Sequence, residues 1–192
     1  MNSKKRFKKI LLHNIADRVL RDFWSTEQTD KNIIKSLDIR SRSEILQRFK
    51  IDFRYIEGPK YIGLKLKRYP IARSYNVSVM YHSCGTIYNL IPEFIDCGLD
   101  ILQSIQPDAR NMDLEKIKKE FGSDICFQGG ISVQKNLPLG KPEDIDKEVK
   151  HIFSVMKDDG GYIACTSHNI QSDTPVENVF ALIDAYDRYG KY

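Results

Sequence analysis

From residue 77 onward, short apolar runs alternate with polar turns and with segments of helical period. Residues 77–81 predict a strand. The next segment places Ile87, Leu90, Ile91, Phe94 and Ile95 at i, i+3, i+4, i+7 and i+8, the stripe of a core-facing helix that Gly98 ends. Pro92 either kinks that helix or lies in its first turn. The second unit pairs a strand at 100–105 with a helix from Asp113, whose Leu114, Ile117 and Phe121 share a face and which stops at Gly122. The third has a strand at 125–128 and a helix from Pro142, with Ile145, Val149, Ile152 and Met156 in register. In the fourth, a strand at 162–166 precedes Thr174, Pro175 and Glu177, which occupy the N-cap, N1 and N3 positions of a capping box. Parallel neighbours need a crossover connection, so this alternation predicts a parallel sheet and an α/β fold.

The first third is less regular. Phe7, Ile10 and Leu11 predict a first helix with a solvated basic face, residues 18–24 a strand, 29–37 and 43–49 helices, and 52–57 another strand. Gly58, Pro59 and Gly63 then break the pattern, and 64–72 holds only a basic stretch with Lys65, Lys67 and Arg68. One domain over residues 1–192 is the expectation.

Composition narrows the class without naming a chemistry. With 192 residues, 41% of them hydrophobic and 29% charged, and a mean hydropathy of -0.44, the chain reads as an ordinary globular protein. No apolar run approaches the roughly 18 to 20 residues of a spanning helix, so no membrane partner is expected. The net charge of +4 is concentrated in Lys4, Lys5, Arg6, Lys8 and Lys9, one helix face rather than a nucleic-acid surface. Cys84, Cys97, Cys126 and Cys165 form no CxxC pair, and no apolar leader precedes them, so reduced thiols and a cytoplasmic location are expected.

Ligands of parallel α/β proteins sit at the carboxyl ends of the strands. Those positions read His82-Ser83-Cys84-Gly85, Gln106-Pro107-Asp108, Gln128-Gly129-Gly130 and Ser167-His168-Asn169. His82 and Cys84 are two apart and face the same way at a strand end, and imidazole with thiolate suits zinc. A lone His-x-Cys is a weak signal, more often a satisfied imidazole beside a small buried thiol than a metal site. His168, from a separate strand end, completes a three-ligand set with an open position; Cys165 is the alternative third ligand, although its place inside a strand favours packing. His13 and His151 read as solvated, Asp108, Asp113 and Asp173 as helix caps at least as well as acid/base groups, and the glycine pair as a place of close backbone approach to a substrate.

Taken together, these segments resemble a known family. Tyr81-His82-Ser83-Cys84-Gly85-Thr86, Gly98 to Leu102, Gln106-Pro107, Phe127-Gln128-Gly129-Gly130-Ile131 with Gln134, Leu137-Pro138, and Gly161 through Ser167-His168-Asn169 to Thr174-Pro175 and Asn178 resemble the C-terminal half of the uroporphyrinogen decarboxylase superfamily. That superfamily includes the decarboxylase and the cobamide-dependent methyltransferases. Residues 13–24, 52–56 and 61–63 resemble its N-terminal segments. The resemblance implies a (βα)8 TIM barrel, incomplete here, with four C-terminal βα units plus one or two N-terminal strands and an apparent internal deletion near 64–72.

It also implies a chemistry. In the methyltransferases, zinc held by His-x-Cys and a later cysteine activates a thiol for attack on a corrinoid-bound methyl group. His82 and Cys84 match that pair, and His168 falls where the later cysteine would be. Zinc on His82, Cys84 and His168 and a corrinoid protein as partner are thereby implied. Gln106, Gln128 and Ser167 are the substrate-binding candidates. The decarboxylases carry a substrate-site histidine at the position of His168, so the alternative is a lyase without cofactor in which His168 is catalytic on a tetrapyrrole. The decarboxylase arginine motif and catalytic aspartate are unmatched at 19–24 and 57–59. A third possibility is a non-catalytic, truncated homologue that covers its open half-barrel as a homodimer.

Overall fold

The first element follows from one buried stripe. In the computed structural model, which describes residues 1–55 and 77–192, helix α1 (Ser3–Leu11) is capped by the Asn2 side chain and buries Ile10 and Arg6. The apolar stripe is thus as predicted, but the basic face is only partly solvated. The Arg6 guanidinium bonds Asp17 at 2.7 Å and Asp52 at 2.5 Å, and Arg18 reaches Asp52 at 2.7 Å. Strand β1 is short (Leu20–Arg21), and helices α2 (Glu27–Leu37) and α3 (Arg42–Arg48) follow, with Thr26 and Ser41 as their N-caps. Residues 51–55, where the sequence predicts most of a strand, have no regular structure. Asp52 anchors the segment instead: its buried carboxylate accepts from Ser3, Arg6, Arg18 and the Arg21 N–H, and its own N–H donates to the Arg21 carbonyl at 2.9 Å, a single backbone bond to β1 that is not extended into a ladder within residues 51–55. The end of that predicted strand, the 61–63 match and the apparent deletion near 64–72 lie outside the described residues.

The alternating half follows the predicted rhythm: β2 (Met80–His82), a 3₁₀ turn (Tyr88–Leu90), α4 (Ile91–Asp96), β3 (Ile101–Ile105), α5 (Leu114–Phe121), β4 (Cys126–Ile131), α6 (Asn136–Leu139), α7 (Pro142–Met156), β5 (Tyr162–Thr166) and α8 (Val176–Tyr189). Pro92 sits in the first turn of α4, where its missing N–H costs nothing. Asp113 caps α5, and Gly122 ends it. The predicted capping box at α8 does not form. Pro175 is the N-cap there and makes no side-chain bond, while Thr174 closes a turn by donating its N–H to the Gln171 carbonyl at 3.2 Å.

Among the described residues the strands form one parallel sheet in the order β1-β5-β4-β3-β2. The order runs backward through the chain from the last strand to β2, and the first strand joins the last. That seam is how a (βα)8 barrel closes on itself, so the sheet is an arc of such a barrel. Backbone bonds beyond the ladder reinforce it: Val19 N–H to the Gly190 carbonyl at 2.8 Å, and an antiparallel bridge between Arg18 and Lys191. Arg21 binds Asp187 at 2.6 Å.

The two faces of the arc bury different cores. Outward-facing Leu102, Phe127, Tyr162 and Ala164 pack under the helices, against Val149, Ile152, Leu182 and Tyr186. On the inner face, Leu20, Ile101, Cys126 and Ile163 meet Ile10 of α1, which caps the N-terminal ends of the strands. Further along the strands the inner face turns polar, with Asp22, Gln103 and Gln128 all buried. Gly129 follows at φ 120°, and a Cβ there would lie 2.9 Å from the Ile105 nitrogen, so the close approach that demands glycine is that of β3 itself.

Candidate metal centre

β2 ends at His82, and the chain then turns back on itself. Ser83 donates its N–H to the Gln103 carbonyl at 2.6 Å. Gly85 adopts φ 86°, and its N–H is held by the Gln106 side-chain oxygen at 2.5 Å. This turn folds Cys84, which is exposed, against the histidine, with His82 Nε2 and Cys84 Sγ 3.1 Å apart. From the far side of the sheet's inner face comes His168, half-buried just after β5, with its carbonyl bonded by the Thr166 hydroxyl at 2.7 Å. The ligating atoms of His82, Cys84 and His168 all lie within 4.8 Å of one another. A tetrahedral zinc site with metal–ligand bonds of about 2.0 to 2.3 Å places its donors roughly 3.3 to 3.8 Å apart. Two imidazoles and one thiol therefore fit that ion by chemistry and within a small side-chain adjustment.

Trp24 closes one wall. Its indole stacks on His168 with centroids 5.4 Å apart and planes at 24°, and meets the His82 ring edge-on at 5.3 Å and 85°. β1 delivers it. Asp22 donates its N–H to the Ala164 carbonyl at 2.9 Å, and a parallel bridge between Ser25 and Ile170 continues the pairing past the strand end. Asp22 and Trp24 are two residues apart, the spacing that keeps both on the inner face.

The substrate-binding candidates separate into two groups. Gln106 and Ser167 line a cavity of about 80 Å³ beside the centre, together with Asp108, Ala109 and Gln134. Gln106 is also the brace of the Gly85 turn, and Ser167 is buried, its N–H given to the Ile131 carbonyl at 2.8 Å. Gln128 lies deeper and fully buried. Its Nε2 donates to Asp22 Oδ2 at 2.6 Å, and its Oε1 has no partner. The same Asp22 oxygen accepts the Tyr55 hydroxyl at 2.5 Å, and Oδ1 accepts the Phe23 N–H at 2.8 Å. Burial pushes the Asp22 carboxyl above the usual carboxylate range, against the opposing pull of these donors.

Other titratable groups sort themselves. Cys126 and Cys165 are buried within β4 and β5, and burial pushes the Cys126 thiol up to about 12 and the Cys165 thiol well above its ordinary value. Neither is a ready thiolate. His151 is exposed, as expected, but His13 is not a solvated surface residue: its Nδ1 is buried without a partner beside Gly161, and desolvation lowers its pKa. Asp113 caps a helix; Asp108 instead binds Lys135 at 2.6 Å and accepts the Ser132 hydroxyl. Asp22 and Trp24 are absent from the residues singled out in the sequence. The rule of inspecting strand ends, applied to the short first strand as well as to the later four, would have found both.

Known proteins share this arrangement of elements. The family model for uroporphyrinogen decarboxylase (URO-D) matches residues 60–189. A curated uroporphyrinogen decarboxylase from Vesicomyosocius okutanii is 32% identical over 80 residues, which is 42% of this chain and 23% of that protein. Another, from Mannheimia succiniciproducens, is 28% identical over 97 residues, 48% of this chain and 27% of that protein. Among solved structures, a methyltransferase from Methanosarcina mazei superposes with a TM-score of 0.51 at 23% sequence identity, covering 81% of this chain but 40% of that one. The chain thus spans well under half the length of these proteins, and the structural likeness is one of fold. The family model covers more than half of the chain, which therefore belongs to the uroporphyrinogen decarboxylase family.

Proposed function

We propose that the chain is a zinc-dependent methyltransferase-like member of its family, with methyl transfer from a corrinoid to a thiol as the reaction class. One observation carries this reading: two histidines and a cysteine from strand ends on opposite sides of the arc converge to within 4.8 Å, a donor set that suits zinc and leaves a coordination position open. A zinc ion bound there supplies a Lewis acid that lowers the pKa of a thiol, so that the nucleophilic thiolate exists at neutral pH.

The chain's own residues hold and orient. His82 and Cys84 are fixed relative to each other by the Gly85 turn and its Gln106 brace. Gln106 and Ser167 border the small cavity beside the centre and offer hydrogen bonds to a substrate. Gln128 presents an unpartnered buried acceptor on the inner face, backed by Asp22. A corrinoid protein is the methyl-donating partner in this reading. A second copy of the chain would cover the open side of the arc.

Metal analysis tests the proposal directly. Protein exchanged into zinc-replete buffer and then freed of loose metal retains about one zinc per chain, as an open three-ligand site requires. H82A and C84A lose it. Zinc-free wild-type protein under these conditions would sink the methyltransferase reading and favour a cofactor-free lyase in which His168 contacts a tetrapyrrole substrate, tested by turnover of uroporphyrinogen.

A further inference from the structure

Metal-bound histidines ordinarily donate their second ring nitrogen to a carboxylate or a backbone carbonyl, which fixes the tautomer and the ring's orientation. This centre lacks that device among the described residues. No described group hydrogen-bonds the imidazole of His168, and the contact recorded for the His82 ring is with Cys84, its fellow ligand. What touches both rings is Trp24, stacked flat on His168 at 5.4 Å and edge-on to His82 at 5.3 Å, while the two imidazoles lie 6.0 Å apart at 75°.

We propose that Trp24 is the positioning residue of the metal centre, its indole holding the His168 and His82 rings at their ligating angles in place of outer hydrogen bonds. This rests on the metal reading above. A flat stack restricts rotation of the His168 ring about its χ2, and the edge contact does the same for His82, so both ligands lose less freedom when a metal arrives. The indole is itself held by the seam between the first and last strands, through the Asp22 N–H bond to Ala164 and the Ser25 to Ile170 bridge. Metal affinity is thereby tied to β1, an element that contributes no ligand.

The chain contains one tryptophan, so its emission reports on this position alone. Metal-free protein is titrated with Co2+, following the thiolate-to-cobalt absorbance and the d–d bands, with Trp24 emission read in the same samples. In the wild type the emission is quenched in step with the cobalt bands. W24A weakens Co2+ binding by about 10- to 100-fold, the loss typical of removing an outer-shell partner, and shifts the d–d bands, while W24F, which keeps a ring to stack, recovers most of the affinity. Two results overturn the proposal while leaving the metal site standing: W24A binding Co2+ with wild-type affinity and spectrum, or cobalt bands growing while the wild-type emission stays constant. If the wild type shows no cobalt bands at all, the metal reading itself fails and this one falls with it. The emission readout needs no variant and so stands even if W24A does not fold.

Discussion

Asp22 shows how much of a residue's behaviour is decided by what surrounds it. It is a carboxyl in the inner face of a sheet, 2% exposed, bonded to Tyr55, Gln128 and the Phe23 N–H, with a pKa raised chiefly by burial. A folded-state pKa above the unfolded value of about 3.9 means that the folded chain holds the proton more tightly. The stability this confers is complete below that unfolded pKa and is lost as pH rises through the folded one. D22N keeps the shape without the ionisation, so in urea unfolding from pH 4 to 8 its stability gains on the wild type as pH rises. A difference that stays flat across that range would show that Asp22 does not titrate in this way. Asp17, whose pKa is lowered first by its bond to Arg6, acts in the opposite sense at low pH, but equally in both proteins, so it cancels. At this scale the metal candidates were legible because His82 and Cys84 carry a rare pairing of chemistries two residues apart, with His168 at a matching strand end. Asp22 and Trp24 were not, because an aspartate and a tryptophan after a two-residue strand look like any turn until the sheet shows what they face.

At the scale of elements, sequence periodicity located the later helices and strands well, since each has an apolar stripe that packs into one core. It failed where side chains rather than burial set the backbone. The Asp52 segment is held by arginines, and the short helix α6 has too few residues to show a period. Capping is instructive in both directions. The box expected at Thr174 and Glu177 is absent, while Ser41 is a side-chain N-cap: its Oγ accepts the Glu44 N–H at 3.3 Å and its hydroxyl donates to Glu44 Oε1 at 3.2 Å. Thermal or urea unfolding therefore separates two substitutions that sequence alone would rank alike: S41A costs about 1 kcal/mol, whereas E177A stays within roughly 0.5 kcal/mol of the wild type. Equal losses would contradict the cap geometry.

At the scale of the whole molecule, the arc ends in β1 and β2 among the described residues, and beside β2 the side chains of Val77, Met80, Tyr81 and Leu90 are exposed. A parallel sheet normally has both faces and its edges covered. If, as proposed, two copies pair, this surface is where they would meet, and light scattering at micromolar concentration then gives twice 22.3 kDa; a well-behaved monomer rejects it. The barrel class was readable from the βα rhythm and the family motifs, but the joining of first and last strands was not, because nothing local in residues 18–24 announces a partner some 140 positions away. That seam also sets the order of events during folding. Trp24 meets His168, and β1 finds β5, only once the chain through about residue 168 is available, and contacts of such sequence separation carry the largest loop-closure cost. On the ribosome, Trp24 and the His-x-Cys turn emerge before β5, and the candidate site waits for His168, which follows that strand. The candidate centre can assemble only after β5 has been made and has joined β1, so metal binding there would report on closure of that seam more faithfully than helix content does.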